Sequence, residues 1–305
     1  MSSPIDRTDL QRVIAIINNK GGVGKTTITA NVGGLLANSG WRVLLVDLDA
    51  QGDLGIDLGY QGTPEDDNGR ALAMALTYPG DPVQPLKDVR PNLDVLVGGN
   101  NIALASAALS SHTGANQTEA RLALARALAP IAANYDIILI DCPPENDVLQ
   151  SAAIAAARYI LIPSKSDKAG VKGIENTTIR FDKVVDLNPD VDLLGVVLFA
   201  TGKLSTQIRA TFIRGVERTI GAPGLVFDSF VPAAEGAGTG SREVGLLVHE
   251  LEEKVKKAPH YFERIRKGIK GENPGPASAG SVAEGLQAVT AELVAKLAEK
   301  EAANV

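Results

Sequence analysis

Between the apolar run Val13 to Ile17 and a helix-forming stretch that opens at Lys25 lies Lys20-Gly21-Gly22-Val23-Gly24-Lys25-Thr26-Thr27. These residue types, in this order, suit the grip of a phosphate chain. Glycines let successive backbone N–H groups turn toward one point, and a helix that starts directly after them adds the positive end of its dipole. Lys25 is then placed to reach the β- and γ-phosphates of a nucleotide. The Thr26 hydroxyl is placed for Mg²⁺, a cation that takes oxygen ligands. The pattern G-x-x-x-x-G-K-[ST] is met except at its first position, which holds Asn19, and a second lysine, Lys20, opens the loop. A glycine turn that merely joined strand to helix would not need the lysines and hydroxyls in this order. The expected nucleotide-binding set is therefore Lys20, Gly21, Gly22, Val23, Gly24, Lys25, Thr26 and Thr27.

Three aspartates follow apolar runs. Asp47 and Asp49 come after Val43 to Val46, and Asp141 comes after Ile137 to Ile140. Doubly wound sheets bind ligands at the carboxyl ends of their strands, so Asp141 is expected to hold Mg²⁺ through a water and Asp47 to support the outer shell of the metal. Aspartates also serve as turn residues, and Asp141 stands two positions before Pro143, so the motif gains weight from its context rather than its composition.

These groups need a scaffold. The chain has 305 residues, 45% hydrophobic, 22% charged and 4% aromatic, with 31 glycines. That balance excludes disordered and fibrous classes and suits aliphatic parallel strands under Ala-rich helices. No apolar run approaches the ~20 residues that span a bilayer. One cysteine, Cys142, excludes an intrachain disulfide framework and a multi-thiolate metal site, and points to a reducing, cytoplasmic compartment. The net charge of −6 means that nucleic acid or anionic lipid would have to meet a local basic patch.

Strand and helix patterns alternate. Strands are expected at 13–17, 43–46, 93–97, 137–140, 159–162, 193–199 and 225–231, the last stopped by Pro232. Helices are expected at 25–38, with Gly40 at the C-terminal cap, and at 117–133. Residues 59–92, rich in Gly, Asp and Pro, read as loops around one short helix, and the Gly/Ala/Ser-rich 233–243 reads as a loop. A flexible connector near 271–281 and a C-terminal helix over 282–299 complete one domain spanning 1–305. The fold class is α/β: a doubly wound, mostly parallel sheet flanked by helices.

Lys20 to Thr27 resembles the deviant Walker A motif of the ParA/MinD family of P-loop ATPases. The resemblance extends through Val46-Asp47-Leu48-Asp49-Ala50-Gln51-Gly52, similar to the family's D-x-D-P-Q-G segment with Ala50 in place of proline. It continues through Ile138-Leu139-Ile140-Asp141-Cys142-Pro143-Pro144, similar to its Walker B stretch. It weakens after about residue 245. What it implies is an ATP hydrolase with ATP and Mg²⁺ as cofactors, dimeric when ATP is bound. Lys20 would be the signature lysine that reaches the partner subunit's nucleotide, Lys25 the ordinary loop lysine and Thr26 the Mg²⁺ ligand. Asp49 would orient the attacking water. Pro232, and more weakly Arg242, would belong to the segment that covers the adenine ring.

Members of such a family share the nucleotide switch and differ in what the dimer binds. A ParA/Soj-type partition ATPase is the leading expectation: a nucleoid-associated dimer that holds non-specific DNA and is released when a centromere-binding, ParB-type adaptor stimulates hydrolysis. Two basic stretches carry it. In 201–218, Lys203, Arg209, Arg214 and Arg218 face only Glu217. In 254–270, seven Lys and Arg face Glu263. Stripes of this kind suit phosphate backbones without base readout. A MinD-like membrane cycle would need a terminal helix with basic and bulky apolar sides. The helix with Leu286, Val289, Leu293 and Leu297 is instead net acidic and without aromatics, so core packing is expected and no membrane partner. Positioning of other cellular cargo by the same dimer stays open. An electron-transfer role through a subunit-bridging iron–sulfur cluster is excluded, because Cys142 is the one cysteine.

Overall fold

In a computed structural model, which describes residues 5–78, 82–112, 114–202, 206–233, 235–257, 276 and 278–303, eight strands form one sheet. They are β1 (Val13–Ile16), β2 (Val43–Asp47), β3 (Leu86–Arg90), β4 (Leu93–Leu96), β5 (Ile137–Asp141), β6 (Tyr159–Ser164), β7 (Asp192–Thr201) and β8 (Val226–Pro232). Their order is β3-β4-β2-β5-β1-β6-β7-β8. All neighbours run parallel except β3, which pairs antiparallel with β4 at the edge.

Every residue of β1, β2, β4, β5 and β6 is buried, as continuous aliphatic runs predict for strands covered on both faces. The two-residue period of a strand sends alternate side chains to opposite layers. Val13 and Ala15 join the layer with Leu124, Leu128 and Ala152, while Ile14 and Ile16 join that with Ile28, Leu36 and Leu293. The first layer is roofed by α4 (Asn100–Ser110), α5 (Ala115–Ala132) and α6 (Asp147–Ala156). The second is roofed by α1 (Lys25–Asn38), α10 (Val248–Lys257) and α11 (Ala279–Ala303). The remaining helices are α2 (Asp53–Leu58), α3 (Arg70–Thr77), α7 (Lys168–Asp182), α8 (Thr206–Ile220) and α9 (Glu235–Val244).

Four elements depart from the sequence reading. The segment expected as a loop at 233–243 is helical as α9, in spite of its glycines. Pro276 presses on Gly240, Ser241 is buried and Arg242 pairs with α2, so tertiary contacts outweigh weak propensity. The Pro-rich 79–92 conceals β3, a short polar edge strand. The short helix α2 and the helix α4 were not expected. In α4, Ile102, Ala105 and Leu109 are buried at helical spacing, a signal that was legible. The terminal helix begins at Ala279, three residues earlier than expected, and buries Leu286, Val289, Leu293 and Leu297. Of the connector near 271–281, residues 271–275 and 277 lie outside the described residues. Among those described, no helix is long and apolar enough to cross a membrane.

Candidate nucleotide site

The loop after β1 is anchored at its entry by a residue the sequence reading did not single out. Asn18 is fully buried; its side-chain amide donates to the Pro163 carbonyl at 2.8 Å, and its Oδ1 accepts from the Lys20 N–H at 2.9 Å. Gly24 must be glycine on two counts. It adopts φ +87° as the residue before α1, and a Cβ there would lie 2.4 Å from the Phe199 ring. The chain thereby passes from strand to helix with Gly24 as the residue before α1.

Lys25 opens α1 and is only 7% exposed; its ammonium is folded inside the loop, donating to the Lys20 carbonyl at 3.2 Å. Burial lowers its pKa, an effect opposed by the Asp141 carboxylate. Next to it the Thr26 hydroxyl donates to Asp141 Oδ2 at 2.6 Å, tying the start of α1 to the end of β5.

Strand register then brings two carboxylates together. Ile16, Asp141 and Asp47 are successive partners across β1, β5 and β2. Asp47 and Asp141 are both buried. Burial, and then the other carboxylate, raises the pKa of Asp47. Burial likewise raises that of Asp141, against the Thr26 hydrogen bond and Lys25. Asp47 Oδ1 accepts from the Asp49 N–H at 2.9 Å, whereas among the described residues Asp47 Oδ2 and Asp141 Oδ1 have no hydrogen-bond partner. Gly98 makes room for Asp47, because a Cβ there would sit 2.3 Å from the carboxyl carbon. Two unsatisfied, buried carboxylate oxygens beside a threonine hydroxyl are the hard oxygen donors that Mg²⁺ takes. Among the described residues no three His, Cys, Asp or Glu side chains form a metal cage. A cation at this place would complete its shell with water and phosphate oxygens, as Mg²⁺ commonly does.

Asp49 lies at the rim. Its carboxylate accepts from the Gln51 N–H at 3.0 Å, and its carbonyl accepts from the N–H groups of Gly52 and Gly99. Lys20 points away from the loop: its ammonium is 3.0 Å from Asp167 Oδ2. Asp167 also caps α7, accepting from the Gly170 N–H. Pro232 is the last residue of β8, paired with Thr201 and packed under Gly285 of α11. Arg242 does not face this site and meets Asp57 and Asp53 of α2. Cys142 is buried, which pushes its thiol pKa up.

The basic residues divide. Arg209 lies over the Phe230 ring at 4.3 Å and donates to the Asp228 carbonyl, so its guanidinium is engaged within the fold. Arg214 and Arg218 are exposed on α8. Lys203 lies outside the described residues, as do 258–270 of the second basic stretch. Lys256 and Lys257 pair with Glu252 and Glu253 along α10, and Lys254 is exposed.

The sequence profile of the AAA domain family (AAA_31) matches residues 11–193, more than half of the chain. The chain is 36% identical over 192 residues to the chromosome partitioning protein ParA of Myxococcus xanthus, covering 61% of this chain and 64% of that protein. It is 35% identical over 190 residues to the sporulation initiation inhibitor protein Soj of Bacillus subtilis, covering 61% of this chain and 72% of the relative. Among solved structures, a cobyrinic acid a,c-diamide synthase from Mycobacterium smegmatis with bound ATP analog and magnesium superposes with a TM-score of 0.61 at 27% identity. The match covers 85% of this chain and 98% of that one.

Proposed function

The chain belongs to the AAA domain family, as a P-loop ATPase of the ParA/MinD type, and from that premise we propose a specific role for it. It is a Mg²⁺-dependent ATP hydrolase whose ATP-bound dimer holds DNA without sequence preference. Hydrolysis, stimulated by a centromere-binding adaptor, releases it during plasmid or chromosome partition. The partition relatives and the structural neighbour with bound ATP analog and magnesium support this reading. The observation that carries the chemistry is the Thr26–Asp141 contact, with the partnerless oxygens of Asp141 and Asp47 beside the glycine loop.

Phosphoryl transfer to water needs charge neutralisation and an aligned nucleophile, with little covalent work for the protein. The N–H groups of Gly21 to Thr27 and the start of α1 cradle the phosphates. Lys25, whose ammonium donates to the Lys20 carbonyl, would hold the β- and γ-phosphates when a nucleotide is bound. Thr26 would hold the cation, Asp141 would hold it through a water, and Asp47 would support its outer shell. When bound, Mg²⁺ supplies neutralisation of the developing phosphate charge. Asp49 accepts a hydrogen bond from the attacking water and sets its direction. Lys20 leaves Asp167 and contacts the partner subunit's nucleotide, so the two chains clamp only when ATP is present. Pro232 and the residues after it border the base.

DNA affinity then follows the nucleotide by linkage, because whatever binds the ATP dimer alone is lost after hydrolysis. Arg214 and Arg218 on α8 and Lys254 on α10 are exposed cations that would meet phosphates, in keeping with a nucleoid-associated, cytoplasmic protein. The apolar stripe of α11 is buried against the sheet, which supports DNA rather than a membrane as the surface bound. The whole chain acts as one ATPase domain.

Co-sedimentation with plasmid DNA and with anionic liposomes, each with ATP, ADP or no nucleotide, tests the reading. DNA pelleting with ATP alone is expected. Liposome pelleting with ATP and no DNA pelleting would replace it with a membrane cycle.

A further inference from the structure

Arg242, in the last turn of α9, joins two parts of the molecule that the reading above treats separately. Its Nε is 2.7 Å from Asp57 Oδ1 and its Nη2 is 3.6 Å from Asp53 Oδ2. Both acids belong to α2, which starts at the residue after Gly52, just past the Asp49 turn. Asp57 is 5% exposed. Burial raises the pKa of Asp57 to about 6, and the nearby Arg242 guanidinium opposes that rise.

The corner beyond Arg242 is fixed from the other side. Gly245 rests on Gly59 so tightly that a Cβ on Gly245 would be 2.6 Å from the Gly59 Cα. Arg90 donates to the Gly245 carbonyl at 3.0 Å and the Leu58 carbonyl at 3.2 Å, and its guanidinium grips Glu250. Asn31 of α1 accepts from the Val248 N–H at 2.8 Å and donates to the Thr27 carbonyl at 2.8 Å. The corner is thus anchored to the helix whose first turn holds Lys25 and Thr26.

Helix α2 has six residues. Isolated helices under ~12 residues are marginal, so its place is set by what it touches. We propose that Arg242 is a positioning residue: by gripping Asp57 near the end of α2 and Asp53 at its start, it locks the helix to the corner anchored on α1, and so fixes the Asp49 carboxylate, just before the helix, relative to the phosphate loop. The consequence for hydrolysis rests on the reading of Asp49 as the group that directs the attacking water.

The test uses the full chain with Arg242→Gln, Arg242→Lys and the double variant Arg242→Gln/Asp57→Asn. The double variant leaves no stranded buried carboxylate at position 57 and so keeps the test meaningful if the single change unfolds the protein. Amide hydrogen exchange without nucleotide is the first readout. Residues 53–58 should exchange roughly tenfold faster in Arg242→Gln and in the double variant, and near the native rate in Arg242→Lys. Turnover at saturating Mg-ATP is the second. It should fall roughly tenfold in the same two variants, with ATP affinity held within about twofold, because a small displacement of an aligned group acts on the chemical step. Exchange and turnover restored to native values in the double variant would overturn the proposal, by showing that the single change acted only through a stranded charge. So would unchanged exchange in Arg242→Gln, or an equal loss of ATP affinity and turnover. A native chain that fails to turn over ATP would sink the hydrolase reading, while the exchange rates would still decide the role of Arg242.

Discussion

Asp47 and Asp141 stand opposite each other as register partners on the adjacent parallel strands β2 and β5, both buried, each with one carboxylate oxygen that has no hydrogen-bond partner among the described residues. Two like charges in that position oppose folding unless a cation or a proton intervenes. The strand ends are therefore less stable than a neutral pair would be, and a site that is costly without its ligand gains most from binding it.

Asp141→Asn tests that balance. Burial raises the pKa of Asp141 from 3.8 to about 7. A raised folded-state value means that its stability contribution is fully present below pH 3.8 and is lost as pH rises toward 7. The nucleotide-free variant should therefore be more stable than the native chain at pH 8, by about 1 kcal/mol or more. That advantage should shrink toward pH 4. Urea unfolding at several pH values without magnesium measures it. ATP hydrolysis by the same variant should fall by roughly a hundredfold.

Lys20→Ala should separate folding from assembly. The Lys20–Asp167 pair is partly exposed, and such pairs contribute at most about 1 kcal/mol. Thermal unfolding should hardly move, whereas the light-scattering mass with Mg-ATP should stay that of a monomer. Dimerisation equal to the native protein would remove Lys20 from the interface.

Asp49→Ala should keep ATP bound and slow its hydrolysis by roughly a hundredfold. Single-turnover measurements of bound ATP over time would show the trapped state; native decay would assign the water to another group.

Arg209 and Arg214, five residues apart on α8, should behave differently. Arg214→Ala should lower the slope of log DNA affinity against log salt by about one unit. Arg209→Ala should leave that slope unchanged and cost roughly 1 kcal/mol of stability, through lost packing on Phe230. Filter binding across salt concentrations and urea unfolding tell the two apart.

Much of this molecule could be read along the chain. Continuous aliphatic runs such as Val13 to Ile17 and Ile137 to Ile140 specify strands buried on both faces, because a doubly covered strand has no solvent side to mark with polar residues. The lysines, glycines and hydroxyls from Lys20 to Thr27 state their chemistry locally, since a strand, a turn and a helix start need only neighbouring residues. Tertiary structure decided the rest. The contact of Asp47 with Asp141 depends on strand order and register across 94 positions of sequence, the difference between their residue numbers. Arg209 reads as a free cation until Phe230 is found beneath it. The glycines of α9 argue against a helix, and tertiary contacts such as packing on Pro276 and pairing of Arg242 with α2 reverse that local preference. Local propensity is a weak force, and contacts between distant segments outweigh it wherever they bury enough surface or charge.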